Sequence, residues 1–558
     1  MARSNLRTGG QILVDQLAAQ GVEHVFCVPG ESYLAVLDAL HDAPIQLTVA
    51  RQETGAALMA EATGRLTGRP GIAFVTRGPG AMNAAHAVHI AEHDSTPLIL
   101  FVGQIERGMR ERGAFQEMDY RAVFGSTAKF VTEIDDPARI PEIISRAFHT
   151  AMQGRPGPVV ISLPEDMLVQ EADVADAMGV EPALTWPGQT QLADLQRRLQ
   201  AARAPVAILG GGGWSQAAVD DVVRFAERFD LPVATSFRRA ALFPNTHRNY
   251  AGEIGIGPNP KLKARIDAAD LVLLIGGRMS EMPSQSYTLF AIPEPKQALV
   301  HVHADAEELG RVYNPALAIN ASPVAFCASL DALQTPKAIP WAGAAKGAHA
   351  DYLAWTDAAP PAPGAMQYGE ALVQLRDYLP ADAIFTNGAG NFAIGVGRFL
   401  RAQRFGGQLA PNSGSMGYGL PAAIGAKRQS PERMVVCFAG DGDFLMNGQE
   451  FATAVQYDLP IVVVVVDNGM YGTIRMHQER EYPTRISGTA LRNPDFAAYA
   501  RAFGGHGETV ARTDEFMPAY ERAVASGRPA ILHVKIDPDA ITPTTTLTKI
   551  REAALAKE

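Results

Sequence analysis

Short runs of valine, isoleucine and leucine alternate along the chain with stretches whose apolar residues recur at helical spacing. Strands are predicted at Gly71–Val75, Leu98–Val102, Val159–Ser162, Val206–Leu209, Leu271–Ile275, Val300–His303, Val435–Phe438, Ile461–Val466 and Ile531–Val534. Most are apolar without interruption, as strands covered on both faces of a parallel sheet should be. Between them, Gly9–Gln20, Gly55–Thr67 and Asp221–Phe229 predict helices. Two segments break the alternation. One, Glu171–Gln191, is acidic and then contains Pro and Gly; the other, Thr335–Pro363, is Ala/Pro-rich. Read as linkers, they divide the chain into units at 1–170, 190–335 and 365–545. Ile541–Glu558 is Thr-rich and then helix-like, and 546–558 form a C-terminal tail that either lies over another domain or is loose. The expected fold class is α/β: three doubly wound domains with mainly parallel sheets.

Composition narrows the function classes. The chain has 558 residues, enough for three or four domains of about 150 residues. Lys and Arg number 49 against 59 Asp and Glu, a net charge of −10. A basic nucleic-acid-binding surface is therefore not expected. The longest aliphatic run, Ile461–Val466, is about a third of a membrane span. The first ten residues, polar with two arginines, do not read as a secretory leader. Cys27, Cys327 and Cys437 are scattered and fit neither a disulfide framework nor a zinc site. These features point to a reducing cytoplasm.

The sharpest chemical signal is Gly440-Asp441-Gly442-Asp443, directly after the predicted strand Val435–Phe438. A second strand, Ile461–Val466, runs into Asp467-Asn468-Gly469-Met470-Tyr471-Gly472. Both loops leave the carboxyl ends of predicted parallel strands, where ligands collect in open α/β sheets. Their glycines let backbone amides approach an anion. Asp441 and Asn468 supply hard oxygen ligands suited to Mg²⁺, which commonly bridges to phosphate. The paired loops read as a metal–diphosphate cradle rather than two unrelated Gly/Asn turns.

This pair resembles the cofactor motif of the thiamine-diphosphate-dependent decarboxylase and carboligase superfamily. Over nearly its whole length the chain is similar to the acetolactate synthase catalytic (large) subunit family. The local resemblance lies in Gly103–Asp119, which ends in Phe115-Gln116-Glu117-Met118-Asp119, in Gly154-Arg155-Pro156-Gly157-Pro158 and in Gly448-Gln449-Glu450. It implies a pyrimidine-binding first unit, a central unit and a diphosphate-binding third unit. Asp441, Asn468 and the Met470 carbonyl would bind Mg²⁺, with Gly442, Asp443, Tyr471 and Gly472 around the diphosphate; Asn391 matches a diphosphate contact more loosely. A carboxylate at Asp443 suits that place only if its backbone amide alone faces the anion. Gly414 and Met416, in Ser413-Gly414-Ser415-Met416-Gly417, would grip the bent cofactor. In the first unit Gly30 would pack near the cofactor, and Pro79 and Asn83 would line the pyrimidine pocket. Glu53 would bond to the aminopyrimidine ring and relay a proton. By its position alone, Glu53 also reads as a helix-start carboxylate favoured by the macrodipole. Phe115 and Gln116 would face the reacting substrate from a partner subunit.

The implied activity is decarboxylation of a 2-oxo acid such as pyruvate, with addition of the two-carbon unit to a second 2-oxo acid or aldehyde. The alternative within the superfamily is a decarboxylase without ligation, or a lyase or hydrolase acting on a diketone. A non-catalytic nucleotide-binding module is the reading from a different class. The implied assembly is a homodimer or homotetramer with active sites between subunits; neither nucleic acid nor membrane is an expected partner. Several residues depart from the family. His477 stands where a Trp that helps select the second substrate is common, Glu31 where a small residue is usual, and Gln52 where His often precedes the glutamate. His86, His89 and His93 read first as helix or interface histidines, with a further acid/base as the alternative. In the central unit, Gly210-Gly211-Gly212-Gly213 follows a strand, but Ser215 breaks the dinucleotide spacing. Arg278 is followed by Met279-Ser280-Glu281 and not by the Phe-Asp-Asp of FAD-binding members. FAD is thus left open as a cofactor but is not the expectation.

Overall fold

The computed structural model describes residues 6–557. The chain packs as two compact units. The first takes in residues up to Ala183 together with Ile424–Pro431 and Ala452–Tyr457; the second takes in the remainder.

The first unit is built on a six-stranded sheet. In space its strands run Gln46–Val49, His24–Cys27, Gly71–Val75, Leu98–Gln104, Pro158–Pro164 and Phe130–Glu133, each pair parallel. The second unit carries two such sheets. One runs Tyr250–Ile254, Val233–Ser236, Pro205–Leu209, Leu271–Ile275, Ala298–His303 and Leu317–Asn320. The other runs Gln408–Leu409, Ile384–Asn387, Val435–Gly440, Val462–Asp467, Ala530–Lys535 and His506–Val510. By chain order the sheets holding the motifs are both 2-1-3-4-6-5, and the middle sheet is 3-2-1-4-5-6. Each order reverses beside its first strand, at the crevice where open α/β sheets take ligands. In the last sheet the reversal falls between Ile384–Asn387 and Val435–Gly440, so Asn391 and Asp441 follow the two strands that flank it. In the first sheet it falls between His24–Cys27 and Gly71–Val75, the strands that precede Gly30 and Pro79.

All nine predicted strands form, most of them a residue or two longer than the apolar run. The helix predicted from Gly55 begins at Glu53, because the Gln52 side chain caps it by accepting from the Thr54 and Gly55 amides (2.6 and 3.3 Å). Residues Thr54 to Gly64 of this helix are all buried. Its small side chains permit that. A Cβ on Gly64 would come within 2.2 Å of the Pro97 carbonyl oxygen, and one on Gly71 within 1.7 Å of the Ala60 carbonyl oxygen. Glu53 therefore stands on the first turn of a helix locked on every side. The acidic segment after Glu171 is not a free connection. Glu171–Ala172 pairs with Arg7–Thr8, and the Gln16 and Gln20 side chains hold the backbone of Ala177, Met178 and Val180. Among the described residues no helix is long and apolar enough to cross a membrane.

Candidate functional site

A cavity of about 290 Å³ lies at the carboxyl end of the second unit's last sheet. Ten sequence-predicted residues line it: Asn391, Gly414, Met416, Asp441, Gly442, Asp443, Asn468, Met470, Tyr471 and Gly472. The glycines are needed as such. A Cβ on Gly442 would meet the Tyr471 ring at 2.6 Å, and one on Gly472 would meet the Asn468 carboxamide at 2.8 Å. Asn391 is fixed by the Thr473 hydroxyl, which donates to its Oδ1 at 2.9 Å.

Two carboxylates stand side by side here. Asp441 Oδ2 and Asp467 Oδ1 accept from the same two donors: the Gly469 amide (2.9 Å to each) and the Asn493 carboxamide (2.7 and 2.8 Å). Burial and the neighbouring Asp467 push the Asp441 carboxyl above its ordinary range. Burial also opposes ionisation of Asp467, but hydrogen bonds from His533 and Asn493 outweigh it and hold that carboxyl low. Asp441 thus gains from a nearby cation. One carboxylate, one carboxamide and the Met470 carbonyl form an all-oxygen donor set, the kind Mg²⁺ prefers. Asp443 is buried, and burial pushes it up to about 7. Its Oδ1 accepts from the Gly417 and Ala389 amides at 2.8 and 3.1 Å, tying two cavity loops together.

The first unit gathers its own predicted residues. Asn83 Nδ2 donates to Glu53 Oε2 at 2.9 Å. The Gly78 amide donates to the Gln116 carbonyl at 3.2 Å, and Arg77 reaches the Phe115 carbonyl at 3.5 Å, so the Phe115–Gln116 loop sits against the Gly78–Asn83 turn. Gln116 adopts φ +64, a strained value for a residue with a side chain. Gly30 packs on Thr76, where a Cβ would lie 2.6 Å from Thr76 Cβ. Glu31 is exposed and lies 3.7 Å from the Arg77 guanidinium, which also pairs with Glu165 at 2.6 Å. His86, His89 and His93 follow Asn83 along the helix Gly78–Asp94, with the His89 and His93 rings 4.4 Å apart. His477 is exposed and bonded to Arg480.

Three domain families match the sequence. Residues 7–123 match the thiamine pyrophosphate enzyme N-terminal TPP binding domain, 192–330 the central domain, and 388–534 the C-terminal TPP binding domain. An acetolactate synthase large subunit of Parasynechococcus marenigrum is 32% identical over 556 residues, 95% of this chain and 87% of that protein. The chain belongs to the thiamine pyrophosphate enzyme family. The acetolactate synthase isozyme 2 large subunit of Escherichia coli is 31% identical, covering 95% of each chain. That of Corynebacterium glutamicum is 30% identical, over 96% of this chain and 87% of its own length.

In this thiamine pyrophosphate enzyme the central glycines have a packing role. A Cβ on Gly211 (φ +71) would come within 1.9 Å of the Gly276 carbonyl oxygen, and the Trp214 indole donates to the Gly210 carbonyl at 2.8 Å. The run therefore closes two strand-end loops on each other. Sequence reasoning missed two features of the site. Asn493 is one. The other is the segment after the last strand, whose Ala540, Ile541, Thr542 and Pro543 line the cavity. That segment leads to the helix Leu547–Leu555, which packs on Gly472–Glu481 through one buried carboxylate. Arg551 grips Glu479 bidentately (2.7 and 2.8 Å), and Arg475 bonds it at 3.0 Å. Arg551 and then Arg475 hold the Glu479 carboxyl down at about 2. The helix carries a single arginine, Arg551, and nothing in its local sequence marks the distant Glu479 as its partner. Glu479→Gln leaves two guanidiniums facing each other without their anion. Amide exchange over 547–555 should then rise at least about tenfold, and Arg551→Lys, which loses the bidentate geometry, should fall between. Hydrogen–deuterium exchange read by mass spectrometry checks this.

Proposed function

We propose that this chain is a thiamine-diphosphate- and Mg²⁺-dependent carboligase acting in the manner of an acetolactate synthase. It decarboxylates a 2-oxo acid such as pyruvate and adds the two-carbon unit to a second 2-oxo acid or aldehyde. The observation that carries this reading is the oxygen-donor set of Asp441, Asn468 and Met470 on a glycine-lined cavity at the sheet's switch point. Asp441, Asn468 and the Met470 carbonyl hold the metal. Gly442, Tyr471, Gly472 and Asn391 receive the diphosphate; Asp443, its carboxylate turned onto backbone amides, braces the loops. The Gly414 carbonyl and Met416 orient the rings. When bound, the cofactor supplies a thiazolium carbon that is both nucleophile and electron sink. Glu53, oriented by Asn83, holds and moves a proton at the aminopyrimidine nitrogen; Gly30 and Pro79 close that pocket. Gln116 and Phe115 shape the substrate side. FAD has no step in this scheme. The buried free thiols Cys27, Cys327 and Cys437 support a reducing, cytoplasmic setting.

The reading also requires assembly. Apolar side chains stand exposed next to both sets of residues: Phe115 (72%) and Met82 (50%) in the first unit, Ile474 (55%) and Met446 (48%) in the second. Such clusters mark interaction surfaces. We infer a homodimer or homotetramer in which Glu53 of one copy serves the Asp441 cavity of another.

Incubation with a panel of 2-oxo acids, with and without acceptor, should yield from pyruvate the ligated 2-hydroxy-2-methyl-3-oxo acid, with one CO2 released per product formed. Release of the aldehyde alone, or cleavage of a diketone, would move the assignment to a non-ligating relative. Sedimentation should give a dimer or larger at assay concentration; a fully active monomer would contradict the shared site.

A further inference from the structure

The cofactor motif accounts for Asp441 and Asn468 but not for what surrounds them. The loop Asp467–Tyr471 is strapped by the segment Thr489–Asn493. The Tyr471 amide donates to the Thr489 carbonyl at 2.9 Å, the Leu491 amide to the Gly469 carbonyl at 2.8 Å, and Met470 pairs with Ala490 in an antiparallel bridge. The strap ends at Asn493, and two residues later Asp495 caps the helix Phe496–Ala502. Asn493 is thereby held between two anchored elements. Its single Nδ2 faces both Asp441 Oδ2 (2.7 Å) and Asp467 Oδ1 (2.8 Å).

Two anionic oxygens so close repel each other unless donors lie between them. Here there are two such donors, the Gly469 amide and the Asn493 carboxamide. Asp467 is pinned from its other side, where His533 Nε2 bonds Oδ2 at 2.8 Å. The imidazole is itself fixed, edge-on to Phe496 at 5.1 Å. Asp441 is held besides by the Gly442 amide on Oδ1 (3.0 Å) and the Gly469 amide on Oδ2 (2.9 Å), so without the Asn493 donor its Oδ2 would face Asp467 across that single amide.

We propose that Asn493 is a positioning residue that fixes the Asp441 carboxylate in the orientation in which it takes the divalent cation, with the Asp467–His533 pair as its rigid backing. This inference rests on the reading of Asp441 as a metal ligand. Outer partners of metal ligands typically contribute 10- to 100-fold in metal affinity.

The test is calorimetric titration of Mg²⁺ into the full-length protein in the presence of thiamine diphosphate, beside thermal unfolding without metal or cofactor. Asn493→Ala should weaken Mg²⁺ binding by about 10- to 100-fold. Its metal-free melting temperature should stay close to that of the parent. Asn493→Ser, which keeps one donor, should lie between, and it carries the test if the alanine variant fails to fold. A purely structural role would lower the metal-free melting temperature and leave Mg²⁺ affinity unchanged. Parental Mg²⁺ affinity in a folded variant lacking the carboxamide overturns the proposal. Asp441→Ala in the same titration separates the two levels. If it too binds as the parent does, the metal site itself is misassigned; if it alone loses binding, only the role of Asn493 fails.

Discussion

The arrangement of this molecule turns on one electrostatic constraint: two carboxylates, Asp441 and Asp467, share a buried strand-end crevice within reach of the same donors. Neighbouring anions in such a place must be offset. The fold offsets one with His533 from the adjacent strand and both with the Gly469 amide and the Asn493 carboxamide. What is left is an oxygen cluster that would gain from a cation; in the proposed reading the amide-rich glycine loops beside it would receive the diphosphate. The parallel register that sets Val436–Gly440 beside Val462–Val466 is what brings the carboxylates together.

The first unit solves a different problem. A glutamate that handles a ring proton must be held still without being consumed by an ion pair. Glu53 is placed by a helix buried throughout its first three turns, and its carboxylate accepts from the neutral Asn83 amide. Gln52, the departure from the family pattern, caps this helix with its own side chain. The glycines let the helix touch the sheet: any Cβ at Gly71 would push off the helix that carries Glu53.

Which parts of this were legible in the sequence follows from where each residue's partners lie. Strands such as Leu271–Ile275 announce themselves because both faces are buried and every position is apolar. The rim strands Gln408–Leu409, Phe130–Glu133 and Leu317–Asn320 do not, being short or half polar, and are defined by a neighbour far away in the chain. The same division holds for the site. Asp441 and Asn468 are readable because glycines and a strand end mark them locally. Asn493, the cavity wall at Ile541–Pro543 and the Arg551–Glu479 clasp are not, because each is one polar or small residue whose meaning comes from a partner many residues away. In the charged stretch Glu106–Arg112, Arg107 is tied to Asp166 at 2.8 Å and Arg110 to Glu133, partners that also lie well away along the chain.

The central claim is that this chain activates bound thiamine diphosphate through Glu53 while the second unit holds the diphosphate and metal. The most direct test is hydrogen–deuterium exchange at the thiazolium carbon of the bound cofactor, read by quenched-flow NMR in the parent protein and in Glu53→Gln. The variant should still bind the cofactor, because its metal and diphosphate ligands are untouched, and exchange should slow by about 10²- to 10⁴-fold, the usual loss of a positioned acid–base group. Exchange as fast as in the parent would mean that Glu53 only starts a helix, and the division of labour between the two units would fall.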